Sequence, residues 1–266
     1  MKPDAIPMFD SHSHLQMAVF AGDLPGVLER ARQGGLAGAV VVGMDPPSSQ
    51  QALDLASRYE AIYATVGVHP HDASCLDPYA LQSLRELARR PGVVAVGETG
   101  LDFYRNLSPA AIQRRAFHDQ LTLADELELP VVIHSRQANE DMLRILREWA
   151  GEKRRNKPIG VLHCFVGDRE LATEYVGLGF MLSFAGNVTY PNARRLQNAV
   201  TAVPLENLLV ETDAPFLAPQ GHRGRRCEPV YLRETIDFIA HLRGAEAAEI
   251  AAVTAANAKK LYRLES

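Results

Sequence analysis

The feature that most constrains this chain is an alternation, repeated eight times, of short β-branched or apolar runs with longer amphipathic stretches. The short runs are Met8–Ser11, Ala39–Gly43, Ile62–Val68, Val93–Glu98, Val131–His134, Gly160–His163, Phe180–Phe184 and Leu208–Glu211. Each spans four to seven residues, and such short apolar runs are what a parallel strand covered on both faces requires. Between them, helices are expected at Leu24–Gln33, Gln51–Tyr59, Tyr79–Arg90, Pro109–Leu129, Glu140–Trp149, Arg169–Leu178, Ala193–Val203 and Pro229–Leu242, with another at Ala245–Lys260. In Arg114–Leu129 the residues Ala116, Phe117, Leu121, Ala124 and Leu127 fall on one side at helical spacing. Eight strand–helix units in 266 residues fit one TIM (β/α)8 barrel, which usually takes about 250. The expected fold is therefore α/β, a single domain over 1–266 with an extra C-terminal helix. A doubly wound sheet is the alternative, but no G-x-G-x-x-G follows the first strand. The polar stretch Glu152–Pro158 reads as a surface loop.

Composition narrows the functional classes. No run of eighteen apolar residues suggests a membrane span, and Met1–Asp10 lacks the apolar centre of a signal peptide. Cys75, Cys164 and Cys227 form no C-x-x-C pair, so a reduced, cytoplasmic protein is expected. The formal net charge of −4 argues against bulk electrostatic capture of nucleic acid. Attraction to a polyanion would have to be local, from bound metals or from the run His222-Arg223-Gly224-Arg225-Arg226.

Titratable residues are placed unevenly. Of nine histidines, His12, His14, His69, His71, His134 and His163 lie at or just beyond the C-terminal ends of strand candidates. Asp10, Glu98 and Asp213 join them at other strand ends. In a barrel these ends form one rim, where active sites sit. His12 and His14 make an H-x-H whose side chains share a face and can chelate one ion. Glu98 closes the apolar run Val93–Gly97, where a carboxylate is costly unless paired or metal-bound; its two oxygens can bridge two cations, although a pairing with Arg105 is the plainer alternative. His134 and His163, each ending an apolar run, are metal ligands if they meet Glu98 and the H-x-H, and core histidines otherwise. Asp213 can hold a metal and accept a proton from water. Glu211, two residues earlier, is either a support for a ligand or a salt-bridge partner. Cys164, directly after His163, is expected to point to the opposite face.

Seven blocks, in order, resemble the TatD-type metal-dependent deoxyribonucleases. They are Phe9-Asp10-Ser11-His12-Ser13-His14, Val66-Gly67-Val68-His69-Pro70-His71, Gly97-Glu98-Thr99-Gly100-Leu101-Asp102, Leu129–Arg136, His163-Cys164-Phe165, Glu211-Thr212-Asp213-Ala214-Pro215 and His222–Arg226. The resemblance implies two divalent metals, zinc, manganese or magnesium. One would be held by His12, His14, Glu98 and Asp213, the other by Glu98, His134 and His163. It implies hydrolysis of phosphodiester bonds, with Asp213 and Glu98 catalytic and His69, His71, Arg136, Arg223 and Arg225 contacting the phosphate. The expected partner is a DNA end, single-stranded for a 3′–5′ exonuclease, with the enzyme a monomer. Val166 and Cys227 depart from the family pattern on loops near substrate. Tyr104 is a possible base contact, as is Phe103, for which core packing is equally open.

Two other hydrolytic readings compete. Many binuclear amidohydrolases bridge their metals through a carboxylated lysine, yet none of Lys2, Lys153, Lys157, Lys259 and Lys260 sits at a strand end. Hydrolysis of another ester, such as a D-aminoacyl-tRNA, stays open, and a non-enzymatic metal-holding protein is the remaining class.

Overall fold

A computed structural model describes residues 7–151 and 158–264; most of the polar stretch read as a loop, residues 152–157, lies outside the described residues. Eight strands form one parallel sheet in sequence order: β1 (Met8–Ser13), β2 (Leu36–Val42), β3 (Ile62–Val66), β4 (Val93–Asp102), β5 (Val131–Arg136), β6 (Gly160–Leu162), β7 (Phe180–Phe184) and β8 (Leu208–Val210). Helices α1 (Leu24–Gln33), α2 (Pro46–Arg58), α3 (Pro78–Ala88), α4 (Ala110–Glu126), α5 (Asn139–Gly151), α6 (Arg169–Gly177), α7 (Arg194–Ala202) and α8 (Leu232–Arg243) follow the strands, and α9 (Ala247–Tyr262) ends the chain. This is a TIM barrel with the extra C-terminal helix. The seam between β1 and β8 is closed by Asp213 N–H donating to the His12 carbonyl (3.0 Å) and His14 N–H donating to the Ala214 carbonyl (2.7 Å). Among the described residues, no helix is long and apolar enough to cross a membrane.

Alternation along the strands separates two cores. Val131, Ile133, Phe180, Leu182, Leu208 and Val210 face the surrounding helices. Val132, Met181 and Leu209, each between two of these, point into the barrel with Phe9, Val40 and Val161. Ala255, Ala258, Leu261 and Tyr262 of α9 pack on that inner layer, and the Tyr262 hydroxyl donates to the Ser11 carbonyl at 2.9 Å. The last helix thus plugs the N-terminal mouth and leaves the C-terminal mouth open.

Helix starts follow capping chemistry. Helix α2 begins at Pro46 rather than the expected Gln51, because Asp45 accepts from Ser48 N–H in a reciprocal capping box and Pro46 suits the first turn. Asp77 and Asp168 cap α3 and α6 by accepting from Ala80 N–H and Leu171 N–H.

Candidate metal centre

The inner face continues from the packed layer to the open mouth. Two positions beyond Val132 stands His134; two beyond Val161, His163; two and four beyond Leu209, Glu211 and Asp213. For β1 and β4 alternation alone does not deliver the ligands. Asp10 pairs with Ala39 but Ser13 with Val41, and Val96 pairs with Val131 but Thr99 with Ile133. Each step carries one extra residue in the first-named strand, the signature of a β-bulge, which re-aims the side chains beyond it. The bulge in β1 passes the inward direction from Ser11, bonded to Ser183 across the barrel (2.9 Å), to His12 and His14. That in β4 turns Glu98 inward and, by alternation, Asp102.

Glu98 lies at the centre, 2% exposed. Its Oε2 is 3.5 Å from His12 Nε2 and 3.6 Å from His14 Nε2. Its Oε1 is 2.9 Å from His134 Nδ1, 2.8 Å from His163 Nε2 and 3.3 Å from His69 Nε2. Asp213 Oδ1 completes the first group, 3.7 Å from His12 and 3.5 Å from His14. The two histidine nitrogens are 3.1 Å apart. A tetrahedron of ~2.1 Å metal–ligand bonds has edges of about 3.4 Å, so His12, His14, Glu98 and Asp213 have the spacing of ligands around one cation. His14 Nδ1 can only donate to the Val42 carbonyl (3.1 Å), which leaves the Nε2 lone pair facing this point. His163 Nδ1 likewise faces Glu211 (3.4 Å) and its Nε2 meets a Glu98 oxygen. Buried imidazole nitrogens and carboxylate oxygens converging at these spacings suit a cation, and orienting partners behind ligating histidines are usual. The residues around Glu98 fit a divalent metal. Clusters able to hold a metal are His12–His14–Glu98, His12–His163–Asp213 and His69–Glu98–His134.

Burial and neighbouring charges set the protonation of the cluster. Burial works against ionisation of Glu98, yet the charge of His163 and hydrogen bonds from His12 and His134 hold its carboxyl well below the usual range. Burial also opposes the His163 imidazolium, but Glu98 and Glu211 outweigh it and raise the group well above 6.5. For Asp213 burial is again outweighed, by His14 and His12, and its carboxyl is lowered. His69 behaves differently: burial pushes it down to about 4. Its Nδ1 accepts the His71 amide proton at 3.1 Å, so the neutral ring carries its proton on Nε2 and faces the site as a donor.

Further residues support this set. Asp102, given no role from the sequence, has Oδ2 at 2.7 Å from His71 Nε2 and 3.3 Å from His134 Nε2. Its Oδ1 accepts from the backbone of Tyr104 and Arg105. Its spacing from Glu98 (i+4, with Gly100 between) was the available signal, since 98, 100 and 102 share a face. Glu211 accepts from Cys164 N–H (2.6 Å) and so acts as a support for His163. Asp10 is turned away from the cluster and clamps the seam, accepting from Thr212 N–H (2.9 Å) and the Thr212 hydroxyl (2.5 Å). Cys164 departs from expectation: with φ at 43° the strand alternation has ended, and the residue lines the cavity instead of facing away.

Above Glu98 opens a cavity of about 420 Å³, lined by His69, His71, Arg136 and Asp213 among others. Arg223 and Arg225 are not among its lining residues. Arg223 instead lies over the Tyr190 ring, 4.4 Å from its centre, and Arg225 is exposed. Arg226 is tied to Asp23 (2.6 Å) and Glu228 (2.8 Å), and His222 to Glu234 (2.6 Å). The loop is thereby anchored to α1 and α8. Phe103 packs on the core with Arg114 over its ring, whereas Tyr104 lines the cavity.

Comparison with known proteins gives the family. The family model "TatD related DNase" matches residues 9–263. The chain is 40% identical to the 3′-5′ ssDNA/RNA exonuclease TatD of Klebsiella pneumoniae, covering 97% of this chain and 98% of that protein. It is 41% identical to the metal-dependent hydrolase YabD of Bacillus subtilis, over 97% and 99% of the two chains. The crystal structure of YjjV, a TatD homologue from Escherichia coli, superposes with a TM-score of 0.90 at 30% identity, covering 97% of this chain and 98% of that one. The chain belongs to the TatD-related DNase family and is a metal-dependent hydrolase.

Proposed function

We propose that this enzyme removes nucleotides from the 3′ ends of single-stranded DNA or RNA, using two divalent metals. The observation that carries the reading is the arrangement of Glu98, whose two oxygens face two separate donor sets. His12, His14, Glu98 and Asp213 would hold one metal; Glu98, His134 and His163 the other. Bound there, divalent ions lower the pKa of water and neutralise charge on a phosphate. Mixed imidazole and carboxylate ligands suit zinc or manganese, while phosphate chemistry also favours magnesium.

The chain's own groups complete the reaction. Asp213, on the cavity side of the cluster, is placed to take the proton of the attacking water. As the water oxygen bonds to phosphorus, the bond from phosphorus to the 3′ oxygen of the shortened strand breaks. His69 offers an N–H to the phosphate or the departing oxygen, and His71, held by Asp102, faces the same cavity. Arg136 supplies the cationic flank, suited to phosphate oxygens. The activity of the Klebsiella relative supports this substrate class. Three free cysteines fit a reducing cytoplasm.

The test is digestion of an end-labelled single-stranded oligonucleotide with magnesium, manganese or zinc, and with chelator. Shortening from the 3′ end in metal alone is expected. Intact DNA and RNA in every metal, with the site shown to be loaded, would refute the reading.

A further inference from the structure

Large apolar side chains exposed among the described residues are Val19, Tyr79, Tyr104, Leu107, Val166 and Phe216. Three of these, Tyr104, Val166 and Phe216, line the one cavity above Glu98. Exposed apolar groups gathered at a polar metal site have no packing role there and mark a binding surface. Phe216, 47% exposed, follows β8 and meets His14, just past β1, edge-on, with ring centres 6.1 Å apart and planes at 70°. That contact leaves a ring face open. Tyr104, 61% exposed, follows β4 and carries the Arg136 guanidinium of β5 at 5.4 Å from its ring centre. In an eight-stranded barrel the β8–β1 and β4–β5 positions are half a turn apart. The two rings therefore stand on opposite sides of the mouth, with the metal cluster between them.

We propose that Phe216 and Tyr104 form two nucleobase subsites, one on each side of the scissile phosphate. The terminal and penultimate bases of a single strand each stack on one ring, while their shared phosphate sits over Glu98, and Arg136 carries charge to the strand on the Tyr104 side. Stacking on an aromatic ring is indifferent to base identity, so the subsites select for unpaired bases, not sequence. A duplex end is disfavoured because both bases would have to leave the stack. This proposal rests on the exonuclease reading above and adds to it the source of single-strand preference.

The test compares three oligonucleotides: one intact, one with an abasic tetrahydrofuran unit at the 3′-terminal position, and one with it at the penultimate position. For the wild-type enzyme each missing base is expected to lower kcat/KM by about 10- to 100-fold. Phe216→Ala should abolish the discrimination at one position and keep it at the other, and Tyr104→Ala should do the reverse. Wild-type enzyme that cuts abasic and intact strands alike would overturn the subsites. So would variants that slow all three substrates by one common factor, since that is the mark of a merely structural role. Failure of the metal-loaded wild type to cut any strand would instead sink the exonuclease reading, and the subsites with it.

Discussion

Replacing Glu98 by aspartate tests the proposed two-metal bridge by separating its geometry from its charge. The substitution Glu98→Asp keeps the carboxylate but draws it back towards β4 by one C–C bond, about 1.5 Å. The backbone cannot follow to compensate. Glu98 N–H is bonded to the Gly43 carbonyl at 2.9 Å, and Gly67 of the neighbouring chain segment is packed so closely on Gly97 that an added Cβ would lie 2.6 Å from its backbone. Metal–ligand distances tolerate changes of about 0.2 Å, so a retreat several times larger cannot serve both donor sets. The expected outcome is a fall from two metals per chain to one, with a loss of at least about 100-fold in kcat, about 2.7 kcal/mol of barrier. Elemental analysis after dialysis against a limited metal concentration reads the first, and 3′-end digestion reads the second. The reasoning fails if the aspartate variant keeps two metals and stays within tenfold of wild-type activity. Glu98→Gln, with full reach but no charge, is the companion variant and should lose metal for the electrostatic reason instead.

Three further outcomes follow from the same geometry. Gly100 has φ at +138°, and a Cβ there would overlap the His134 carbonyl across the β4–β5 pairing; Gly100→Ala should cost about 1–3 kcal/mol in denaturant midpoint measurements and reduce metal at the His134 side, and wild-type values for both would contradict the close approach. Because Glu98 and Glu211 raise His163 against the effect of burial, the metal-free protein holds a proton there at and above pH 6.5, and metal must displace it. Apparent metal affinity should rise about tenfold per pH unit for each proton displaced until the pH passes the raised value, and chelator competition giving a flat profile from pH 6 to 8 would count against this. Arg136→Ala should raise KM for oligonucleotides by about tenfold or more, while Arg225→Ala, outside the cavity, should stay within about threefold; the reverse order would return the phosphate contact to the arginine loop.

What the sequence determined by itself is whatever local patterning encodes. The eight apolar runs and the helices between them specify the barrel, because the period of burial is written residue by residue. Histidines and carboxylates at strand ends specify the site, because a barrel gathers every C-terminal end on one rim. Other features depend on partners far away in the chain. The bulges that turn His12, His14 and Glu98 inward are mismatches of register between strands, invisible in either strand alone. Buried Gln113 and Gln120 of α4 interrupt its apolar stripe, yet they bind the backbone of Asp102 and Val68 beside the site. The arginine run offers phosphate contacts by composition, but that Arg226 engages Asp23 and Glu228, Arg223 the Tyr190 ring and His222 Glu234 depends on residues from separate elements. Side-chain direction after a strand ends, as at Cys164, is set by loop backbone and no longer by alternation. Periodicity places a residue on an element; only the pairing of elements decides what it touches.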